Sequence, residues 1–304
     1  CRSHRANALR TDEPPSTVVS TLDETLALHD WPLPIGQPIR GLVLMLHGLG
    51  EHIGQYTELA NHLNQWGFAV RGYDQYGHGE SIGVRGDLPC QDRLLDDLAD
   101  VIDDTRARMD DRLPLIVLGH GLGGLTAGLL ASMKLRRLEG LTLSSPPFCC
   151  TTSLGQRALL KVLNTVAPHW RLDSGIHPDD LTHDLAMLEV LRNDGLRHDR
   201  MSARMANFIL TRGAALLARA PRWKVPTLLL YAGQDALADP KGSEQFAQAA
   251  PAEWVTAHQF PMHFHALFQE MERQPVYDAL QHWLWTRYPA LTLEQPFAPT
   301  QPVW

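Results

Sequence analysis

The sequence predicts an α/β fold built on a mostly parallel, doubly wound sheet. Strand-like and helical patterns alternate along the chain from residue 41 onward, which is typical of such a sheet. Continuous apolar runs, for example Gly41–Leu46 and Thr227–Tyr231, have the length and composition of fully buried strands. With 304 residues, the chain has room for one large domain of this kind with an insertion, or for two smaller domains.

The elements of the first half follow from these patterns in order. Two short strands, Thr17–Val19 and Thr25–His29, precede the alternation. The helix predicted over Asp92–Met109 has aliphatic residues on one face and aspartates on the other, and we interpret the acidic face as solvated rather than as a cation site. The other predicted elements of this half are Gly41–His47, Tyr56–Trp66, Phe68–Tyr73, the strand ending at Leu118, the helix from Leu125 and the strand Leu141–Ser144.

Residues 146–222 interrupt the alternation and predict a helical insertion over the ends of the strands. Helical patterns dominate there, and no strand is expected: Leu159–Val166, Asp184–Arg192 and Ser202–Ala218. The sheet then resumes with strand Val225–Tyr231, helix Gly242–Ala250, strand Val255–Phe260 and helix Val276–Trp285. The predicted organisation is a core of residues 17–145 and 223–288, a cap of residues 146–222, and arms of residues 1–16 and 289–304.

Composition and charge argue against several classes of function. The net charge of −7 comes without a basic block, which argues against nucleic acid as the main partner. No apolar run reaches the roughly 18 residues of a membrane-spanning helix. The four cysteines show no zinc or disulfide spacing and are expected to be isolated thiols. No metal or organic cofactor is predicted, and no pattern specifies an oligomeric state.

The chain begins at Cys1 rather than Met, which indicates a truncated or processed product. We favour a cytoplasmic location. The alternative is a bacterial envelope lipoprotein that carries lipid on Cys1 after removal of its signal peptide, although a cloning boundary would give the same first residue.

The most informative stretch is Gly119–Gly124, which follows an apolar strand and precedes a helix of small residues. Its outline is that of a G-x-S-x-G motif, the sharp strand-to-helix turn that exposes a nucleophile above a sheet. The middle position, where serine is expected, is Gly121. The turn therefore predicts an acyl-transfer site whose nucleophile is replaced by glycine.

An acyl-transfer site on this architecture also needs a carboxylate and a histidine, in the chain order nucleophile, acid, base. Asp235 follows a late strand and is favoured as the acid over Asp239, which precedes Pro240 and is expected to cap the next helix. His265 follows the last strand and is favoured as the base over His263. A metal site at the two histidines is the alternative, although no third ligand lies at a suitable spacing.

The site further needs two backbone N–H groups directed at the oxyanion of the tetrahedral intermediate. One is expected from Leu122, the residue after the nucleophile position, at the N-terminus of a helix. The other is expected from Leu49, which Gly48 and Gly50 flank in the loop after the first buried strand. Neither leucine side chain is needed for this role.

Together these stretches resemble the monoacylglycerol lipase and lysophospholipase-like branch of the α/β-hydrolases, a group also described as serine-aminopeptidase-like. The matching segments occur in family order: His47–His52 with Tyr56, Tyr73–Ser81, Arg85 and Gly86, Gly119–Gly124, Leu143–Pro146, Gly233–Asp235 with Asp239 and Pro240, and Phe264 and His265 with Phe268 and Glu270. The resemblance implies an α/β-hydrolase fold with an inserted helical cap. It also implies hydrolysis of a carboxylic ester through an acyl-enzyme, with Asp235 and His265 as acid and base and Leu49 and Leu122 as oxyanion donors.

Gly121 is the one clear departure from the family pattern, because the comparison places the nucleophilic serine there. An engineered serine-to-glycine change is the favoured interpretation, since the acid, the base and the oxyanion loop are all kept. The alternatives are a natural pseudoenzyme that binds ligands without cleaving them and a substitute nucleophile at Ser144 or Ser145. Under the favoured interpretation the chain itself is expected to be inactive.

The cap is expected to determine the substrate. Its apolar residues suit the acyl chain of a hydrophobic ester, and the candidate contacts are Phe148, Leu181, Met205 and Phe208. The expected partner is therefore a small hydrophobic ester, with peripheral membrane contact through the cap as a further expectation. Monoacylglycerols, lysophospholipids, short synthetic esters and polyester oligomers all fit this description.

Overall fold

A computed structural model describes residues 18–22, 25–34, 36–149 and 154–291. The strands within these residues are β1 (Val18–Leu22), β2 (Leu26–Trp31), β3 (Gly41–Leu46), β4 (Phe68–Tyr73), β5 (Leu115–His120), β6 (Gly140–Ser144), β7 (Arg171–Asp173), β8 (Arg200–Ser202), β9 (Thr227–Ala232) and β10 (Val255–Phe260). The α-helices are α1 (Thr57–Gln65), α2 (Arg93–Arg108), α3 (Leu122–Met133), α4 (Leu154–Val166), α5 (Leu185–Asn193), α6 (Ala203–Leu217), α7 (Pro240–Ala249) and α8 (Gln274–Arg287). The predicted arm 1–16 with Cys1, and residues 292–304 of the other arm, lie outside the described residues.

Eight strands form one sheet in the order β1-β2-β4-β3-β5-β6-β9-β10. The six strands from β4 to β10 in this order run parallel, and β1 and β2 are added antiparallel at one edge. The mostly parallel, doubly wound sheet that the sequence predicted is therefore confirmed. The strand order changes direction around β3 and β5, and loops at the carboxyl ends of the strands meet at such a point.

Helices cover both faces of the sheet through two apolar clusters. On one face, α1 and α8 contribute Leu59 and Tyr277 to a cluster with side chains from β3, β4 and β9. On the other face, α2, α3 and α7 contribute Leu98, Leu125 and Phe246. All residues of β3 and β5 are buried, because these central strands have helices on both sides.

The segment between β6 and β9 contains α4, α5 and α6, together with a feature that the sequence did not predict. Strands β7 and β8 pair antiparallel in a separate two-stranded sheet, with Arg171 opposite Ser202. The expectation that this segment contains no strand was wrong. Each of the two strands has only three residues, and β7 is exposed along its whole length, so neither produces an apolar run or a useful alternation.

A buried ion pair joins the sheet to α2. Arg71 on β4 is 1% exposed, and its guanidinium donates to Asp30 on β2 (Nε to Oδ1, 2.8 Å) and to Asp104 on α2 (Nη1 to Oδ2, 2.6 Å). Burial raises the pKa of Asp30 to about 6, although Arg71 acts in the opposite direction. The two carboxylates thus provide the compensation that a buried guanidinium requires.

Replacing Arg71 with leucine is expected to lower the free energy of unfolding by about 3–5 kcal/mol, because Asp30 stays buried without its partner. The matched control is Arg136→Leu, which removes an exposed pair with Asp103 and is expected to cost less than about 1 kcal/mol. Urea unfolding followed by circular dichroism measures both variants. Similar losses for the two would show that burial of Arg71 contributes nothing special.

Candidate active site

The Gly119–Gly124 turn joins β5 to α3 at the carboxyl end of the strand. Gly121 is the N-cap of α3, and its backbone has φ 52° and ψ −117°, a conformation that residues with a side chain rarely adopt. Strand and helix approach closely here, since a Cβ on Gly119 would lie 2.4 Å from the carbonyl oxygen of Gly123. The local sequence thus produces a sharp, strained turn with position 121 at its apex.

Asp235 and His265 meet beside this turn. His265 Nδ1 lies 2.7 Å from Asp235 Oδ2. Asp235 Oδ1 accepts the backbone N–H groups of Leu237 and Ala238, both at 2.9 Å, which fixes the carboxylate. An ideal Cβ on Gly121 would lie 3.3 Å from His265 Nε2. The structure therefore brings position 121, the imidazole and the carboxylate together in one line of contacts.

The alternative acid and base have other partners. Asp239 caps α7 by accepting the backbone N–H of Lys241 at 3.0 Å, as its position before Pro240 predicted. His263 Nε2 lies 2.9 Å from the carbonyl oxygen of Glu272, so this ring stabilises its own loop. Neither residue lines the cavity described below.

The two serines considered as substitute nucleophiles are also engaged. Ser144 Oγ lies 3.0 Å from His120 Nδ1, and Ser145 Oγ donates to the carbonyl oxygen of His265 at 3.0 Å. Both residues are at most 1% exposed, and neither lines the cavity. A serine at the end of a buried strand lacks the exposure that the turn gives to position 121.

Within the described residues, one group could hold a metal ion, and it comprises His29, Asp74 and Glu80. Asp74 accepts two backbone N–H groups, from Ile53 at 2.7 Å and from Glu80 at 2.8 Å. The buried carboxylate thereby connects two loops. None of the three residues lines the cavity, so the group is separate from the candidate active site.

Burial and neighbouring charges act in opposite directions on the pKa of His265 and on that of Asp235. Burial lowers the pKa of His265, but the charge and hydrogen bond of Asp235 outweigh it and raise the pKa above its ordinary value. Burial raises the pKa of Asp235, but His265 and two backbone N–H groups outweigh it and lower the pKa. Burial lowers the pKa of His120, whose ring centroid lies 4.6 Å from that of His265, to about 4. At neutral pH, His120 is therefore neutral and Asp235 ionised.

The two expected oxyanion residues, Leu49 and Leu122, line a cavity of about 310 Å³ together with Gly121 and His265. Leu122 is the first residue of α3, so its N–H has no acceptor within the helix. The wall is mostly apolar, and its larger aliphatic side chains are Leu49, Leu122, Leu160, Ile176, Leu181, Met201, Ile209, Leu210 and Leu237. Most of these belong to residues 146–222, so the predicted cap contributes most of the aliphatic wall of the cavity.

Only one of the four cap residues expected to contact the substrate lines this cavity, namely Leu181. Phe148, Met205 and Phe208 lie instead in the apolar cluster on the α3 face of the sheet, where Phe148 stacks on Phe246 with 4.6 Å between ring centroids. The cavity wall therefore does not support these three as substrate contacts, and their role stays a prediction. A large apolar residue in the sequence indicates burial, but it does not indicate which surface the side chain is buried against.

A buried carboxylate holds the loop that carries Leu49. Glu51 Oε2 accepts the backbone N–H of Gly48 at 2.7 Å and the hydroxyl of Tyr56 at 2.6 Å. Burial opposes ionisation of Glu51, but His120, Arg197 and these two hydrogen bonds lower its pKa to about 2. Glu51 also lines the cavity, so it contributes a negative charge near His265.

Residues of the cap complete this network, and we call the resulting set of contacts the cap clamp. Asp194 Oδ2 lies 2.8 Å from His52 Nε2 and accepts the amide of Gln55 at 2.6 Å. Arg197 Nη1 donates to Gln55 Oε1 at 3.2 Å and lies 3.9 Å from Glu51 Oε1. Sequence reasoning did not identify the clamp, because polar residues in a loop have no periodicity that would mark them.

Replacing Asp194 with alanine is expected to accelerate amide hydrogen exchange over residues 48–55 about tenfold or more, because His52 and Gln55 lose a charged partner. The matched control is Asp179→Ala, which removes an exposed ion pair with Arg192 elsewhere in the cap. Exchange followed by mass spectrometry compares the two variants. Unchanged exchange in the Asp194→Ala variant would contradict the clamp.

Known proteins with similar sequences include lipases. The sequence pattern of the family described as "Serine aminopeptidase, S33" matches residues 37–272. The chain is 29% identical to human monoglyceride lipase over 259 residues, which cover 83% of this chain and 84% of that protein. It is 28% identical to phospholipase YtpA of Bacillus subtilis over 253 residues, which cover 82% of this chain and 96% of that protein. An uncharacterized abhydrolase domain-containing protein of Dictyostelium discoideum is 30% identical over 92% of this chain, and the match spans 30% of that protein.

Solved structures show the same similarity. The crystal structure of Paleococcus ferrophilus monoacylglycerol lipase superimposes with a TM-score of 0.78 at 29% identity, over 86% of this chain and 99% of that one. The structure of a soluble variant of monoglyceride lipase from Saccharomyces cerevisiae superimposes with a TM-score of 0.82 at 22% identity. The superposition covers 94% of this chain and 99% of that one, and it supports the fold. The family match spans well over half of the sequence, and the chain belongs to the serine aminopeptidase S33 family of α/β-hydrolases, in the branch that includes the monoglyceride lipases.

Proposed function

We propose that this framework is that of a serine carboxylic-ester hydrolase for hydrophobic acyl esters, in which Gly121 occupies the position of the nucleophile. The observation that carries the proposal is the 3.3 Å between His265 Nε2 and an ideal Cβ on Gly121. A serine hydroxyl on that Cβ would lie within reach of the base. The contact of His265 with Asp235 at 2.7 Å supplies the orientation that a base in such a site needs.

The mechanism follows from these contacts for a chain with serine at position 121. Asp235 accepts the Nδ1–H of His265, so Nε2 has the lone pair that takes the hydroxyl proton. The serine oxygen attacks the acyl carbon, and the backbone N–H groups of Leu49 and Leu122 stabilise the oxyanion. The alcohol leaves with the proton from Nε2. Water then attacks the acyl-enzyme and gives its proton to His265, and the serine oxygen leaves with that proton as the acid is released.

The cavity supports a hydrophobic acyl group as the substrate. Its walls are mostly aliphatic, and burying each methylene of a chain there contributes about 0.8 kcal/mol. Glu51 and Ser174 are the polar side chains of the lining besides His265, and they suit an alcohol part with hydroxyl groups. The ionised Glu51 further favours neutral esters over anionic ones. The names of two relatives, a monoglyceride lipase and a phospholipase, support esters of this class.

Gly121 closes the covalent route in the chain as it stands, because glycine has no atom that could form an acyl-enzyme. The retained contacts of Asp235, His265 and the Leu49 loop support an engineered replacement of serine. A ligand-binding pseudoenzyme of the same fold is the second candidate, and the presence of Gly121 itself favours it. The codon of the native gene separates the two, since a serine codon excludes the pseudoenzyme and a glycine codon excludes the engineered change.

The Gly121→Ser variant is expected to hydrolyse p-nitrophenyl esters at least about 10³-fold faster than the unsubstituted chain, because it regains the acyl-enzyme route. Its activity should rise with pH through the raised pKa of His265, since the base acts in its neutral form. The matched control is Gly121→Ala, which adds the same Cβ at the same φ but no hydroxyl. Both variants are expected to lose about 1–3 kcal/mol of stability to backbone strain. A folded Gly121→Ser protein without turnover on esters of any chain length would falsify the proposal.

We further propose that the cap contacts a lipid surface through α4. Leu159, Val162 and Val166 on this helix are 58%, 57% and 72% exposed, and their spacing places them on one side of it. Trp170, which follows the helix, is 54% exposed. Across the part of the chain that the structure describes, no helix has both the length and the apolar character that a membrane crossing requires. The proposed contact is peripheral, with the apolar side of α4 at the lipid surface.

Vesicle sedimentation tests this contact. The double variant Val162→Glu with Val166→Glu is expected to lower the fraction of protein that sediments with phosphatidylcholine vesicles at least about fivefold, because two charges replace exposed apolar side chains at the proposed contact. The matched control is Leu185→Glu with Val190→Glu on α5, where the side chains are 80% and 60% exposed. Equal release by both double variants, or no sedimentation of the unsubstituted chain, would speak against α4 as the contact.

A further inference from the structure

Gly121 removes a nucleophile but leaves a basic nitrogen in front of it. His265 Nδ1 is engaged by Asp235 at 2.7 Å, so the neutral ring has its lone pair on Nε2. An ideal Cβ on Gly121 would lie 3.3 Å from Nε2 and 3.5 Å from Gly48 Cα. The space beside Nε2 therefore admits an atom the size of a methyl group, and the oxygen of a water molecule is no larger.

This room lies on the wall of the cavity, because Gly121, Leu122 and His265 all line it. An ester bound in the cavity would have its carbonyl carbon beside position 121 and its carbonyl oxygen near the Leu49 and Leu122 N–H groups. A water molecule that donates a hydrogen bond to Nε2 is then on the same side of the carbonyl group as a serine oxygen would be. The base, the water and the oxyanion donors thus keep the relative positions that the covalent reaction uses.

We infer that the chain with Gly121 hydrolyses activated esters by direct attack of water, with His265 as general base. The water oxygen forms a bond to the acyl carbon while its proton moves to His265 Nε2. The N–H groups of Leu49 and Leu122 stabilise the oxyanion. The bond to the alcohol oxygen then breaks, and the leaving oxygen takes the proton from Nε2. One ester and one water give one acid and one alcohol, and no bond to the protein forms.

The charged groups around His265 suit this role. Burial disfavours the protonated ring, but Asp235 at Nδ1 and the ionised Glu51 favour it, and the net effect is a raised pKa. His120, the third titratable group beside the ring, is neutral at pH 7 because burial lowers its pKa to about 4. His265 is thus a stronger base than an ordinary histidine, and its ring is oriented without any contribution from position 121.

The inference rests on the proposed function, because it uses the same ester site, and three variants separate the two. Gly121→Ala places a methyl group 3.3 Å from Nε2, where the water would lie, and adds no nucleophile. It is expected to reduce the rate of p-nitrophenyl butyrate hydrolysis at least about tenfold, to that of buffer, and His265→Ala is expected to do the same. The unsubstituted chain should release p-nitrophenol without a burst, about 10³-fold or more slower than Gly121→Ser.

A fluorophosphonate provides the second readout. It is expected to inactivate the Gly121→Ser variant and to leave the unsubstituted chain unaffected, since only the former has a nucleophilic hydroxyl in the turn. Equal rates for the unsubstituted chain and a folded Gly121→Ala variant would overturn the water route, as would loss of the slow activity on treatment with the fluorophosphonate. The Gly121→Ser variant tests the proposed function itself. Its failure to hydrolyse esters would overturn both that function and the water route, whereas the results above would overturn the water route alone.

Discussion

The turn between β5 and α3 is the constraint on which the candidate site depends. Strand and helix approach so closely that a Cβ on Gly119 would lie 2.4 Å from the Gly123 carbonyl oxygen, and the backbone at Gly121 has a positive φ. This geometry places the apex of the turn above the sheet, beside the first N–H groups of α3. Because β3, β5, β9 and β10 run parallel in one sheet, the loops that follow them reach the same edge of the sheet. Residues far apart in the chain therefore converge on one glycine.

Three buried histidines at this edge of the sheet, His47, His120 and His265, differ in their pKa. Burial lowers the pKa of His47 and His120 below the ordinary value, and both rings serve as neutral hydrogen-bonding groups for loops and strand ends. His265 is also buried, but the carboxylate of Asp235 at Nδ1 outweighs the cost of burial. Carboxylates lie near all three rings, but among them only His265 has a carboxylate hydrogen-bonded to the ring itself. The position of Asp235, fixed by two backbone N–H groups, distinguishes His265, the candidate base, from the other two histidines.

The sequence was most informative where burial on both faces produces continuous apolar runs, as in β3 and β5, and where glycines mark a turn in which strand and helix approach closely. It also indicated that Asp235 and His265 follow adjacent strands of a parallel sheet, and such positions are close in space. It did not predict β7 and β8, because three-residue strands have no pattern of their own. It did not assign partners to Arg71, and it did not indicate that Phe148 packs in the apolar cluster on the α3 face of the sheet. In each of these cases the outcome depends on tertiary contacts between segments distant in the chain, which local pattern does not encode.

The cap clamp has a consequence for how such a site changes over time. Asp194 and Arg197 belong to the cap that encloses the cavity, and they bind the same loop that presents Leu49. Displacement of this part of the cap is transmitted to the loop, because charged hydrogen bonds have to break before the two separate. Admission of a ligand and alignment of the loop are mechanically coupled. A substitution that moves this part of the cap to admit a different ligand is therefore expected to move the Leu49 loop as well.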